Sequence, residues 1–385
     1  MVDPENLDAV FVSHLHEDHM AMIPYLVRRG YSEPIYMTRP TRELGVKQWV
    51  KWARILEEDG RSLYSVTDAV NAERLIREVR YGDVIEIGDL RITIGLAGHA
   101  LGSAHFLVEE KKGKKLLYLA DVNKGSHVLR DFEEPKTRPD AMIINASYGD
   151  NIIDMEATKR KLAEILGHTL LEGSVLFPVT PTGRAQETLM ILYSIRDKIK
   201  DTTIIATEKI RKATETLNKY QGELKETYME QIREVLEDIV FAKEEEILEA
   251  AGKPGYIILA EDLMMMGFSR RIFMEIKDDP RSAVIHTGYK APGTFARQLV
   301  MARNTMCFTW NSEPLVFRTR VYDIPIKMHF DLHDNISLVE SMGRPLLILH
   351  HGEEPRSLRL ALALSNYVEP KRILLPSTPS KTFLG

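Results

Sequence analysis

Residues 13 to 20 read Ser-His-Leu-His-Glu-Asp-His-Met and follow directly on the apolar run Ala9-Val10-Phe11-Val12. Three imidazoles and a carboxylate, His14, His16, Asp18 and His19, lie within six positions. Alternation along a strand sends His14 and His16 to the same side, as two ligands of one ion require. The turn that follows can aim Asp18 and His19 at a second ion nearby. So dense a pattern of nitrogen and oxygen donors is rare by chance. The segment reads as a metal site.

The elements that must position these side chains are legible around it. Residues 8–13 read as a buried strand, and a helix is expected from Asp18 toward Gly30, which suits its C-terminal stop. Further strands are expected at 90–97, where Leu90-Arg91-Ile92-Thr93-Ile94 alternates, at 115–120 and at 141–146. Other residues able to bind metal recur just past apolar strands: His99, Asp121 after Leu116 to Ala120, and His351 after Leu346 to Leu349. Strand ends are where layered α/β proteins gather their active sites, so these residues are candidates to converge. Beyond 150 the texture changes. An amphipathic helix is expected over 155–171, a short strand over 175–179, and a helix opened by Gly183-Arg184-Ala185-Gln186-Glu187. Two or three charged surface helices follow between Lys209 and Glu249, and strands resume at 256–259 and 282–285.

At 385 residues the chain is long for one domain, and two are expected. No run approaches 18 consecutive apolar residues, which argues against a membrane span. Met1 to Glu5 lacks the basic start and apolar centre of a signal peptide. The single cysteine, Cys307, excludes an internal disulfide and suits a reducing, cytoplasmic location; it reads as an inert core thiol. A net charge of −5 speaks against broad, salt-sensitive nucleic-acid binding, though not against a phosphodiester held by a local basic surface and by metals.

Taken together and in order, His14-x-His16-x-Asp18-His19, His99-Ala100-Leu101-Gly102-Ser103, Asp121 and His351-Gly352-Glu353 resemble the metallo-β-lactamase superfamily. Pro24-Tyr25-Leu26, Ile35 through Thr41, Pro178 through Glu187, Met264 through Arg270 and Thr287-Gly288-Tyr289 resemble its β-CASP branch. That branch holds RNA-cleaving nucleases related to the cleavage and polyadenylation endonuclease and its archaeal homologues. The resemblance spans nearly the whole chain. It implies an α/β fold: a metallo-β-lactamase αββα sandwich from 1–150 and 326–385, with a β-CASP α/β domain inserted at 151–325. It also implies two Zn2+ per chain, one held by His14, His16 and His99, the other by Asp18, His19 and His351, with Asp121 bridging both. The implied activity is a zinc-dependent ribonuclease in RNA processing or decay, with a hydroxide nucleophile between the two metals. Asp18 would orient that nucleophile. His333 would act on the scissile phosphate or protonate the leaving oxygen. Arg184, Arg270 and Ser269 are expected at the substrate, a single-stranded RNA, the guanidinium plane suiting phosphate. A homodimer or a complex with other RNA-processing subunits is the expected assembly. His105, His127, His168, His286 and His329 read as ordinary surface or core histidines, His350 as packing beside His351, and Met264–Met266 as core.

Four positions depart from the family pattern. Only thirteen residues precede His14, so the first strands of the sheet are expected to be missing, as from a start assigned too late. Asn145 stands where the family has Glu or Asp supporting the histidine at 333; its neutral amide should weaken proton donation, and Asn145→Glu should raise turnover. Ala260-Glu261-Asp262 replaces Ser-Pro-Gly with two carboxylates that would repel RNA if they face it. Ala206-Thr207-Glu208 replaces an Asp-Ser-Pro-like segment. These changes support an alternative, a catalytically weak or inactive paralogue acting as an RNA-binding or complex subunit.

Overall fold

The computed structural model describes residues 3–58, 60, 62–264 and 267–376. The chain divides into two compact units, Met1–Ile152 with Met328–Gly385, and Ile153–Lys327.

In the first unit two sheets lie face to face. The smaller is parallel and three-stranded, Val10–Phe11, Ile35–Thr38 and Ile76–Val79 in that order. The larger has seven strands in the order Ile373–Leu374, Leu346–His350, Ala141–Asn145, Lys115–Tyr118, Ala104–Glu110, Leu90–Leu96 and Val84–Ile87. Its first four strands are parallel and the remainder join as antiparallel neighbours. Phe11 stacks on Tyr36 at 4.8 Å and meets Phe106 of the larger sheet edge-on at 5.6 Å. Ile92, Ile94 and Val79 join that layer. The helices Arg39–Glu58 and Val66–Arg74 cover the smaller sheet through Trp49, Ala69 and Ala72. The helices Leu332–Ser341 and Glu354–Leu364 cover the larger one through Leu338, Val339, Leu360 and Leu364. This is an αββα sandwich. Gly95 lets the larger sheet close over His105: a Cβ there would fall 2.1 Å from His105 Cε1 and Nε2. Gly95→Ala is therefore expected to destabilise the unit by about 1–3 kcal/mol, read as a shift in the denaturant midpoint.

The second unit is a six-stranded, wholly parallel sheet in the order Ile239–Ala242, Thr203–Thr207, Tyr256–Ala260, Val175–Pro178, Ala283–His286, Arg320–Asp323. Its central strands are buried on both faces over almost their whole length and are apolar but for His286.

The expected helix from Asp18 to Gly30 is two short helices, Glu17–Met20 and Ile23–Arg28, the second restarting with Pro24 in its first turn. Between Lys209 and Glu249 the expected helices are present, with the strand Ile239–Ala242 between them, too short for periodicity to reveal. Cys307, read as a core thiol, is exposed on a two-stranded hairpin, Cys307–Trp310 with Glu313–Val316. Met264 is fully buried as core, while Met265 and Met266 lie outside the described residues. Among the described residues no helix is long and apolar enough to cross a membrane.

Candidate metal centre

Four loops of the first unit meet past the ends of their strands. The loop after Val10–Phe11 carries His14, His16, Asp18 and His19. It is clamped from behind by Trp49, whose Nε1–H donates to Met20 O at 3.0 Å. The loop carrying His99 is folded back by Ser103, whose Oγ accepts from the backbone N–H of His99 and Ala100. Gly98 is obligatory here: its φ is +69°, and a Cβ would lie 2.7 Å from Arg130 O and Phe132 N. Thr38 and Thr41 both donate to Gly102 O, tying this loop to the segment after Ile35–Thr38. Asp121 follows Ala120, and His351 closes the strand Leu346–His350; Ala120 and His351 have φ of 49° and 57°, strained for residues with side chains.

The result is two adjoining donor groups. In each of the sets His14, His16, His99, Asp121 and Asp18, His19, His351, one ligand atom per residue lies within 4.8 Å of all the others. His16 Nδ1 is 3.0 Å from His14 Nε2 and 3.2 Å from His99 Nε2. Asp121 Oδ2 is 3.4 Å from His99 Nε2 and 3.6 Å from both His14 Nε2 and His19 Nε2. His351 Nε2 bonds Asp18 Oδ2 at 2.8 Å, and His19 Nε2 is 3.5 Å from the same oxygen. Outer contacts fix which ring nitrogens point inward. His99 Nδ1 donates to Met328 O at 2.7 Å, Ser13 Oγ bonds His14 Nδ1 at 3.1 Å, and Ser147 Oγ bonds His351 Nδ1 at 3.1 Å.

The electrostatics follow from this crowding. Burial, then the neighbouring imidazoles, push His14 well below the ordinary histidine value, and burial pushes His99 down as well. Burial alone would raise Asp121; the imidazoles around it, His19 first, outweigh that and hold its carboxyl well below the usual range. The bond from His351 lowers Asp18 to about 2. Burial opposes protonation of His351, but its bond to Asp18 and the nearby Asp121 raise it.

This donor set fits divalent cations. Imidazole nitrogens face Asp121 at 3.4–3.6 Å, beyond a good hydrogen bond, and buried His19 Nε2 has no hydrogen-bond partner. Two ligands of one tetrahedral ion lie about 3.3 Å apart for bonds of about 2.0–2.1 Å, close to the spacing here. Buried polar atoms left in this way are costly unless an ion accepts them.

Other expected site residues have different surroundings. Asn145 is 1% exposed; its Nδ2 donates to Asp121 Oδ1 at 2.5 Å and its Oδ1 accepts from Ser147 N at 2.7 Å. Among the described residues nothing bonds it to His333, which is exposed in the first turn of Leu332–Ser341. A further histidine beside Asp121 is His329, with Nδ1 3.9 Å from Asp121 Oδ2 and its ring 4.4 Å from that of His99. Sequence reading passed over it. The signal was the alternation Ile324, Ile326, Met328, Phe330, whose buried face leaves 329 on the opposite side. In the second unit, Arg184 NH1 donates to Thr287 O at 2.6 Å, and Arg270 lies over Phe295 and Trp310 at 4.6 and 5.2 Å. Ser269, expected at substrate, is instead wholly buried, its hydroxyl engaged by Asp262 O and Met264 N. Glu261 is not a free negative charge: Lys209 Nζ pairs with it at 2.6 Å and Thr207 donates to it.

An αββα sandwich with this His/Asp cluster at its strand ends is a metal-binding domain of the metallo-β-lactamase type. Residues 3–132 match the metallo-beta-lactamase superfamily domain and residues 185–299 the Beta-Casp domain. The chain belongs to the β-CASP branch of the metallo-β-lactamase superfamily. It is 27% identical over 392 residues to the endoribonuclease YSH1 of Eremothecium gossypii, covering 95% of this chain and 51% of that protein. It is 31% identical over 389 residues to the transcription termination factor FttA of Pyrococcus abyssi, covering 93% and 59%. The chain thus spans about half the length of the curated relatives it matches. A protein of unknown function from Enterococcus faecalis V583 shares the fold, with a TM-score of 0.53 and 15% identity over 96% of this chain and 79% of that one.

Proposed function

We propose that the chain is a ribonuclease that hydrolyses RNA phosphodiester bonds in RNA processing or decay, using two Zn2+ ions. The observation that carries this reading is the pair of adjoining donor groups meeting at Asp121, in a chain that also bears the β-CASP domain. His14, His16 and His99 would hold one ion, Asp18, His19 and His351 the other, with Asp121 shared. Bound there, the ions would lower the pKa of a water and offset charge growing on the phosphoryl oxygens. The chain's own part is orientation: Ser13, Met328 O and Ser147 hold the imidazoles, and Asn145 holds the carboxylate. Asp18, 61% exposed, would orient the attacking water. Single-stranded RNA is the substrate we expect, in the cytoplasm, with a homodimer or a complex with further RNA-processing subunits as the working assembly.

The test is cleavage of end-labelled single-stranded RNA by the metal-loaded chain, with chelator and with His16→Ala as controls. Chelator-sensitive cleavage absent from the variant supports the reading. Intact RNA with folded, metal-loaded protein would favour a non-catalytic RNA-binding paralogue.

Acid should remove the two ions in order. Protons compete with metal for its ligands. His351 is raised and protonates first as pH falls, whereas His14 and His99 are lowered and stay neutral. Desalting between about pH 8 and about pH 5 is therefore expected to strip the Asp18/His19/His351 group first. Metal content should fall in two separated steps; a single step would count against it.

A further inference from the structure

In the second unit the helix Phe268–Ile276 buries Phe268, Ser269, Ile272, Phe273 and Ile276 in the core. Its outer face carries Arg271, Met274 and Glu275, with Asp278 in the turn beyond and Arg270 on the flank. Met274, in the middle of this stripe, is 40% exposed. The charges run from positive, Arg270 and Arg271, at the N-terminal end to negative, Glu275 and Asp278, at the C-terminal end. The helix dipole favours the reverse order, acidic first and basic last. This order therefore works against the helix on its own.

The charges are also available. The Arg270 guanidinium lies over Phe295 and Trp310 and, among the described residues, has no ion pair. Glu275 likewise pairs with none of the described residues. Arg271 pairs with Glu244 and Asp278 with Lys277, but both pairs stand in solvent, where such contacts are weak and readily exchanged.

We propose that this stripe is the seam of a symmetric dimer, its occupant a second copy of the same chain. In a two-fold contact residue i meets j and j meets i. An antiparallel second helix sets Arg270 and Arg271 of each copy against Glu275 and Asp278 of the other, with the two Met274 side chains beside the axis. The two helix dipoles then oppose each other as well. A polyanion fits worse, because the stripe carries as many carboxylates as cations. A standard interface takes about 800 Å² from each copy, more than one helix of nine residues supplies. The hairpin beside it supplies the remainder: Arg318 N and Thr319 N donate to Lys277 O at 2.6 and 3.1 Å, and Met306 and Val316 of the hairpin segment are exposed. The inference rests on the homodimer of the proposal above, to which it gives a surface, and not on RNA cleavage.

The experiment is sedimentation of the full chain over a wide range of concentration, where a monomer–dimer equilibrium is expected. Arg271→Glu and Glu275→Arg each set like charges against each other twice, and each is expected to weaken association at least about tenfold without changing helix content or the denaturant midpoint. Mixing the two variants, or combining both substitutions in one chain, restores opposite charges across the seam and should restore association. Misfolding could not produce that rescue. Met274→Glu, which sets two carboxylates beside the axis, should leave the chain monomeric. A dimer insensitive to both single reversals overturns this surface and leaves the homodimer standing. An unsubstituted chain that stays monomeric overturns both, and single losses that mixing fails to rescue overturn the pairing.

Discussion

Asp121→Ala is expected to leave a folded chain that retains neither ion after desalting and cleaves RNA at least about 10³-fold more slowly. The size follows from position. Asp121 is 2% exposed, and three imidazole nitrogens of both donor groups stand 3.4–3.6 Å from one of its oxygens. Its other oxygen is 3.7 Å from His351 Nδ1 and accepts from Asn145. Removing one exposed ligand such as Asp18 leaves the first group whole; removing Asp121 takes an anion from both and leaves buried imidazoles facing each other. Metal analysis is the deciding measurement. Two retained equivalents, or cleavage within tenfold of the unsubstituted chain, would remove Asp121 from its shared role.

The second large effect is expected at Asn145, with a sign opposite to the one the family pattern suggests. The sequence led to the expectation that Asn145→Glu would restore a charge supporting His333 and raise turnover. In the structure the Asn145 amide is committed to Asp121 on one side and Ser147 on the other. A carboxylate in its place would present an acceptor to an acceptor, both buried and negative. Asn145→Asp, the isosteric form, is expected to cost the metal-free chain about 1–3 kcal/mol of stability at neutral pH and to weaken metal retention. The cost should shrink as pH falls through the carboxylate range, because protonation restores a donor. Denaturant unfolding with chelator present checks it. Unchanged stability together with faster turnover would return Asn145 to its family role.

Much of the centre was legible because histidines are costly to gather without purpose, and each followed an apolar strand that fixed its place. Residues 14 to 19 needed only alternation and a turn. His99, Asp121 and His351 were legible as strand-end residues, although their convergence depended on sheet order, which no periodicity carries. Three features were not legible. The contact of Asn145 with Asp121 joins two neighbouring strand ends, and it depends on how Ala141–Asn145 lies beside Lys115–Tyr118. His329 was hidden because its neighbours, not its own spacing, tie it to the centre. Ser269 and Arg270 looked like phosphate contacts by residue type, but one is engaged by backbone and the other by aromatic rings.

The discontinuity of the first unit has a kinetic consequence. Its larger sheet receives Leu346–His350 beside Ala141–Asn145, although the whole second unit lies between them in the chain. Asp18 and His351, which bond each other, are 333 residues apart in sequence. A chain emerging from the ribosome can fold the inserted unit before the centre has its last histidine, since each unit's contacts are largely its own. Contacts of such long sequence separation form slowly, because the loop must close before they stabilise anything. Completion of the donor group around Asp18 and His351 is therefore a late event, and it marks a chain that has been translated past residue 351 and folded back upon its beginning.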